Sequence, residues 1–280
     1  MRFFEKLDHA DPRYIYVLVT LAIIAPLLMH MSQRQQPTKP ASDLYNTIEH
    51  IDPKDNKIVI LGCDWSPELL AETQPQARAV MRHLFRRKIK FAVTSQLVDG
   101  GQLSDALVDQ VAKEFGAKRN VDYTVWGFRP NFYDFILAMM KNIPATVAHN
   151  KEGMRMSQIP MMRGIRDYHN VAAVIDFTGY SNFADWTSVS YGRYHVPNAL
   201  GCTGIIAPDA FPYYDSGQYF GLLAGLKGAA EYESLLNQAG EGTKGMQSQS
   251  WVHLLIILLI AMGNIAYLLT RARSRSIDAG

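Results

Sequence analysis

Three aspartates stand at the ends of predicted β-strands, and they are the residues of this sequence best placed to do chemistry. Asp64 follows the apolar run KIVILGC, Asp176 lies in VAAVIDF, and Asp209 follows GIIAP. Ligands of parallel α/β sheets bind beyond the carboxyl ends of the strands, so these carboxylates could surround a hard cation such as Mg²⁺. The alternative is that each aspartate caps the helix or turn that follows it, and the sequence favours this role.

Other polar side chains are predicted at the same edge of the sheet. They are Thr94, Ser95, Arg129 and Thr178. The turn after the first strand, CDWSPE, lacks the glycines that let a backbone approach a dinucleotide. The sequence also has no GxxxxGK[ST] loop, no HExxH motif, no GxSxG elbow and no pair of histidines at metal-ligand spacing. We therefore predict no cofactor and no metal ion, and a non-enzymatic role is favoured over an enzyme.

The two cysteines, Cys63 and Cys202, are predicted to be buried and unpaired. Cys63 ends the first predicted strand, whereas Cys202 precedes the last one, GIIAP. In a parallel sheet this places them at opposite ends, too far apart for a disulfide.

A glycine stripe marks the segment YYDSGQYFGLLAGLKGAAEYE. Gly221, Gly225 and Gly228 recur at helical spacing within a helix predicted from Ser216 to Asn237. Glycine costs roughly 1 kcal/mol per helical position relative to alanine, so three of them indicate close approach to other backbone. The partner is either this chain's own sheet and helices or another subunit.

Strands and helices alternate through the middle of the chain. Predicted strands lie at 57–63, 90–95, 121–128, 171–177 and 204–208, and predicted helices at 66–88, 104–115, 131–141, 184–194 and 216–237. This order predicts an α/β fold with a mostly parallel sheet covered on both faces. We expect a Rossmann-like or flavodoxin-like three-layer sandwich.

Two uncharged apolar runs flank this domain and are predicted to be transmembrane helices. They cover residues 14–31 and 251–270, close to the about 20 residues that span a bilayer. The second run contains Gly263 and Asn264; small residues and an amide in hydrocarbon favour contact with another helix. The predicted organisation is a tail (1–13), the first span, a tether (32–55), the α/β domain (56–238), a tether (239–250), the second span and a basic tail (271–280).

Charge sets the predicted orientation. The outer flanks of the two spans carry six Lys and Arg residues and the inner flanks three, so both termini are predicted cytoplasmic and residues 32–250 extracytoplasmic. Removing the six basic and four acidic residues of the tails from the totals of 28 and 26 leaves 22 of each sign in the middle. This neutral domain argues against a nucleic-acid partner.

Two blocks of the sequence carry a family resemblance. CDWSPELLAETQPQARAVMRHLFRRKIKFAV and SGQYFGLLAGLKGAAEYE resemble recurrent blocks of an uncharacterised prokaryotic family of membrane-anchored proteins. The resemblance implies two anchors around an extracytoplasmic α/β domain, and it implies no activity, substrate or catalytic residue.

Three functions are compatible with these features. The first, which the sequence favours, is a non-enzymatic scaffold subunit in the inner membrane that assembles with other membrane proteins or with copies of itself. The second is a membrane-tethered, metal-assisted hydrolase or transferase that uses the three aspartates. The third is a ligand-sensing domain that signals through its two anchors.

Overall fold

The structure, a computed structural model, describes residues 11–29 and 35–277. It contains two compact units, which we describe separately. One unit comprises residues 34–243, and the other comprises the segments before and after it.

The first unit is built on a parallel six-stranded sheet. Its strands are β1 (Ile58–Asp64), β2 (Phe91–Ser95), β3 (Tyr123–Phe128), β4 (Val171–Thr178), β5 (Asn198–Cys202) and β6 (Tyr219–Ala224). Their order in the sheet is β3-β2-β1-β4-β5-β6. This is the strand order of doubly wound Rossmann sheets, in which successive strands are added toward one edge from β1 to β3 and toward the other edge from β4 to β6. The predicted α/β fold with a mostly parallel sheet is therefore confirmed.

Helices flank the sheet on both sides. The described helices are α1 (Pro12–Met29), α2 (Lys39–His50), α3 (Leu70–Arg86), α4 (Val98–Phe115), α5 (Phe132–Lys141), α6 (Ile143–Val147), α7 (Phe183–Trp186), α8 (Gly192–Tyr194), α9 (Ala207–Asp215), α10 (Gly225–Leu235) and α11 (Glu241–Ile277), with a π-helical turn at Thr187–Tyr191. Alternate residues of β1 enter opposite cores because successive strand side chains point to opposite faces. Val59 and Leu61 pack with α2, α3, α4 and α10, whereas Ile58 and Ile60 pack with α5 and α6.

The last two strands differ from the prediction. The predicted strand 204–208 is a turn followed by the start of α9, and the strand lies just before it at Asn198–Cys202. Cys202 consequently ends β5 at the same edge of the sheet as Cys63, so the predicted opposite placement is wrong. The cysteines stay unpaired because two strand spacings, about 9–10 Å, separate their strands.

The predicted helix from Ser216 to Asn237 is also wrong. Tyr219–Ala224 is β6, paired in parallel with β5, and only Gly225–Leu235 is helical. Both faces of the strand are largely covered, so its apolar run shows no two-residue alternation. Gly221 therefore lies in a strand, not on a helix face with Gly225 and Gly228.

These glycines nonetheless lie in close contacts. A Cβ on Gly221 would lie 2.8 Å from the Leu44 backbone nitrogen of α2. A Cβ on Gly228 would lie 2.8 Å from the Leu223 carbonyl carbon. Gly225 has a φ of +60°, which turns the chain from strand into helix.

Both predicted tethers contain regular structure. Within 32–55, α2 buries Ala41, Leu44 and Ile48 against the sheet, so the α/β unit begins well before residue 56. Within 239–250, α11 begins at Glu241. Its first turn is capped by the buried carboxylate of Glu233, which accepts hydrogen bonds from the backbone of Gly240, Gly242 and Thr243 and from the Thr243 hydroxyl.

Among the described residues, one helix is long and apolar enough to cross a membrane. It covers Glu241–Leu268, which includes most of the predicted span 251–270, and from residue 244 onward it belongs to the second unit. The first predicted span, 14–31, coincides with the shorter apolar helix α1, although its last two residues lie outside the described chain. The Ser248 hydroxyl donates to the Ile23 carbonyl at 3.1 Å, so α1 and α11 are in contact within this unit.

Candidate functional site

The candidate site lies between the carboxyl ends of β1 and β4, where the winding of the sheet reverses. Asp64 pairs in register with Thr178, and Gly62 pairs with Asp176. Ligands of open α/β sheets bind in this crevice. The structure therefore brings two of the three predicted aspartates, Asp64 and Asp176, to the same side of the sheet.

Asp64 is fully buried and its carboxylate is saturated by hydrogen bonds. Oδ1 accepts from the Gln96 backbone N–H at 2.7 Å and from the Ser95 hydroxyl at 3.1 Å. Oδ2 accepts from the Gln96 side-chain amide at 2.7 Å and from Asn182 at 3.5 Å. These bonds fix the turn after β2. Asp64 therefore holds a turn that follows a neighbouring strand, whereas the capping interpretation predicted bonds to the turn that follows Asp64 itself.

Asp176 is buried beside Asp64, and neither of its carboxyl oxygens has a well-aligned hydrogen-bond donor among the described residues; its polar neighbours are the Asp64 carboxyl group and the Phe177 backbone N–H. Gly62 makes room for it, because a Cβ there would lie 2.3 Å from Asp176 Oδ1 and 3.0 Å from the indole nitrogen of Trp186. Burial raises the pKa of Asp176 well above its ordinary value, and the neighbouring Asp64 carboxylate raises it further. Burial also raises the pKa of Asp64, to about 6, although the Gln96 hydrogen bonds oppose this shift.

The two carboxyl groups thus have unequal roles. Asp64 has donors around both oxygens and is the better anion, whereas Asp176 retains its proton to higher pH. A buried acid pair that shares a proton in this way is chemically suited to proton transfer.

Side chains that follow β1 and β4 bond to one another near the pair. Trp65 is completely buried next to Asp64. The Ser66 and Tyr180 hydroxyls bond to each other at 2.6 Å, and both contact the Glu68 carboxylate. Glu72 accepts a hydrogen bond from the Gly204 backbone N–H at 2.8 Å. Two backbone donors at this edge, the N–H groups of Gln96 and Gly204, are therefore bonded to carboxylates of the chain itself.

The remaining predicted site residues lie apart from this pair. Asp209 is exposed in the first turn of α9, and the described residues contain no group of three His, Cys, Asp or Glu side chains placed to hold a metal ion. Thr94 donates to the Gly127 carbonyl at 3.2 Å. Arg129 lies beyond the end of β3 and donates to the His149 carbonyl at 2.6 Å.

Three residues of the site were not predicted from the sequence: Gln96, Asn182 and Trp186. Each lies in a turn or helix after a strand, and its distance from Asp64 depends on how that segment folds back. The position of Gln96 directly after the predicted strand 90–95 was the one available signal.

We compared the chain with known protein families, curated proteins and solved structures. No protein-family model, no curated protein and no solved structure matches the chain. The family resemblance of the two sequence blocks therefore stays a prediction.

The acid pair predicts a specific pH dependence of stability. Asp176 has a folded-state pKa above its unfolded value, so the stability it contributes at low pH is lost as pH rises through the folded pKa. While Asp176 keeps its proton, the loss approaches about 1.4 kcal/mol per pH unit. We expect Asp176→Asn to remove this slope at pH values above the ordinary pKa of an aspartate, as measured by denaturant unfolding of the full chain in detergent over a series of pH values.

The matched control is Asp209→Asn, which changes an exposed carboxylate and should keep the wild-type slope. Equal slopes for wild type and Asp176→Asn would show that Asp176 is already ionised in the folded protein.

Proposed function

We propose that this protein is a membrane-anchored, non-enzymatic subunit whose α/β domain stands outside the cytoplasm and assembles with other membrane proteins. The observation that carries the proposal lies in α11. Within the length that could cross a membrane, Gly263 and Asn264 are exposed in adjacent positions. A partner helix is what such a pair needs in a bilayer.

Asn264 is the central residue of this surface. Its amide makes no hydrogen bond with any described residue, and a polar amide in hydrocarbon is costly unless another group satisfies it. A Cβ on the adjacent Gly263 would meet nothing within 4 Å. Another backbone therefore has room to approach at this position.

The hydrogen bond that joins α1 to α11 lies far from Gly263 and Asn264 along the helix. Ile23 lies beside Ser248, and Gly263 is about 22 Å further along the helix axis at 1.5 Å per residue. Ala266, about one turn further along, is buried within this chain, whereas Gly263 and Asn264 are exposed, and we assign their contact to a second chain.

The α/β unit supports a binding role more than a catalytic one. Its crevice holds saturated or buried carboxylates under Trp65, Ser66 and Tyr180, and Asp209 lies apart from the acid pair. The second candidate, a metal-assisted hydrolase or transferase, lacks the third carboxylate on which that hypothesis depends.

The proposal includes a topology in which the chain crosses the membrane twice. In this topology α1 is a second, shorter span, both termini lie in the cytoplasm, and the α/β domain lies on the other side of the membrane. The six-to-three excess of Lys and Arg on the outer flanks supports this orientation. The partners are the lipid bilayer and other membrane subunits or further copies of this chain.

Replacing Asn264 with leucine tests the proposed helix contact. We expect Asn264→Leu to reduce co-purification of the partner chain several-fold, since an interhelical hydrogen bond is worth roughly 0.6–2 kcal/mol. The α/β domain should keep its melting temperature. The measurement is quantitative mass spectrometry of proteins retained by the tagged chain after mild detergent extraction.

Ile260→Leu is the control, because Ile260 is exposed one turn away on the same helix face. It should leave co-purification unchanged. An Asn264→Leu chain that retains its partners as well as the Ile260→Leu chain would overturn the role of Asn264.

A further inference from the structure

An open cleft lies beyond the carboxyl end of β3, away from the acid pair. Its volume is about 510 Å³, and it lies between the end of β3, the first turn of α4 and residues 146–151. This is within the size range of small-molecule sites, about 300–1,000 Å³. Apolar and polar groups both line it, including Val98, Trp126, Phe128, Arg129 and His149.

Arg129 is the unpaired cation of the cleft. Its guanidinium is half-buried and donates one hydrogen bond, from Nη2 to the His149 carbonyl at 2.6 Å. Nε is buried without a partner, and no described carboxylate forms an ion pair with this residue. A guanidinium offers five N–H donors, so most of its hydrogen-bonding capacity is unused.

The other cation of the cleft is already neutralised. Lys151 Nζ lies 2.6 Å from Asp105 Oδ2. Asp105 also pairs with Arg119, whose guanidinium contacts Asp109 and Glu152 as well. This network sets two cations against three carboxylates, so both of its cations are paired, and Arg129 is the cation of the cleft that lacks a counter-ion.

Trp126 forms part of the cleft wall. Only 2% of this residue is exposed, and its indole nitrogen is buried without a hydrogen-bond partner among the described residues. The indole therefore contributes aromatic surface to the cleft, and the terminal N–H groups of Arg129 are the donors for a ligand that accepts hydrogen bonds.

The wall that holds Arg129 is shaped by an unusual turn. Ala148 has φ +54° and ψ −58°, and the His149 N–H bonds to the Val147 carbonyl at 2.6 Å. This is a γ-turn with positive φ, a strained conformation for a residue with a side chain. The His149 carbonyl that follows it is the group that binds Arg129.

We propose that this cleft binds a small organic carboxylate, whose carboxylate group pairs with Arg129 and whose body lies beside the Trp126 indole. An anion supplies the counter-ion that Arg129 lacks, and a planar carboxylate matches the fork of a guanidinium. Val98 and Phe128, both exposed large apolar residues, provide contact for an apolar body. The site is separate from the proposed helix contact of Gly263 and Asn264.

Benzoate and benzamide are the probes, because they share a shape and differ in charge. We titrate each into the full chain in detergent and follow the indole N–H resonances, with Trp126→Phe assigning the Trp126 signal. We expect benzoate to shift this signal saturably and benzamide to leave it in place. Inorganic phosphate is titrated in parallel to separate general anion binding from carboxylate recognition.

Arg129→Gln should weaken benzoate binding by roughly tenfold or more, as loss of a charged hydrogen bond does. Arg163→Gln removes an exposed arginine elsewhere and should not change binding. Four results would overturn the proposal: no saturable benzoate shift, equal shifts with benzamide, tighter binding of phosphate than of benzoate, or unchanged affinity in Arg129→Gln. If Arg129→Gln fails to fold, the comparison of benzoate with benzamide on the wild-type chain tests the proposal.

Discussion

Replacing Gly221 with leucine should unfold the α/β unit in most of the molecules. Gly221 lies in β6 directly beneath α2, where an added Cβ would lie 2.5 Å from the Leu44 Cβ and 2.8 Å from its backbone nitrogen. Such distances require movement of helix backbone, and Leu44 itself is completely buried. Overpacking a core costs about 1–3 kcal/mol even where side chains can adjust, against a total stability of about 5–15 kcal/mol.

The measurement is thermal unfolding of the full chain in detergent, with hydrogen exchange of α2 as a local readout. Gly204→Ala is the control, because its nearest neighbour, Glu72 Oε2, would be 3.6 Å from the new Cβ, an ordinary contact. A Gly221→Leu chain with the wild-type melting temperature and protected α2 amides would show that α2 does not pack on β6 as described.

Replacing Glu233 with glutamine should destabilise the first turn of α11. One carboxylate oxygen accepts the Gly242 N–H, and the other accepts three donors, from Gly240 and Thr243. A glutamine keeps one acceptor oxygen but turns an NH₂ group toward the remaining donors. Each buried donor left without a partner costs about 1–3 kcal/mol.

Hydrogen exchange of the Gly240, Gly242 and Thr243 amides measures this effect locally. We expect exchange to accelerate by roughly 10- to 100-fold, which corresponds to the loss of one or two of these bonds. Glu241→Gln is the matched control, because Glu241 is 53% exposed and its pair with Arg78 spans 3.6 Å. Exposed pairs contribute little, so equal exchange in the two variants would contradict the capping role of Glu233.

The alternation of strands and helices was sufficient to predict the sheet and the aspartate pair. Strands such as KIVILGC and VAAVIDF are buried on both faces and read as continuous apolar runs. Because parallel strands end at one edge, Asp64 and Asp176 follow as neighbours. The unequal protonation of the two acids could not be predicted, since it depends on Gln96 and on the space left by Gly62.

Two of the misassigned elements were misread for physical reasons. The run Tyr219–Ala224 has glycines at helical spacing, and a short apolar run fits a buried strand as well as a helix. The helix α2 lies in polar sequence, where only Ala41, Leu44 and Ile48 mark its buried face. Burial of that face against β6 is a tertiary interaction, and composition alone suggested a tether.

The cleft beside β3 was equally hidden from the sequence. Arg129 was placed correctly at the edge of the sheet, but its missing counter-ion depends on where residues 146–151 return. Trp126 reads as an ordinary strand residue, and its unsatisfied indole N–H becomes evident only when its neighbours are known.

The mass and composition of the particle extracted with mild detergent test the central claim most directly. We predict that native mass spectrometry finds the 31.5 kDa chain within a larger assembly that contains further copies or other membrane proteins. The Asn264→Leu variant should shift this assembly toward the single chain. A wild-type particle that contains one 31.5 kDa chain and detergent alone, at native expression level, would contradict the account.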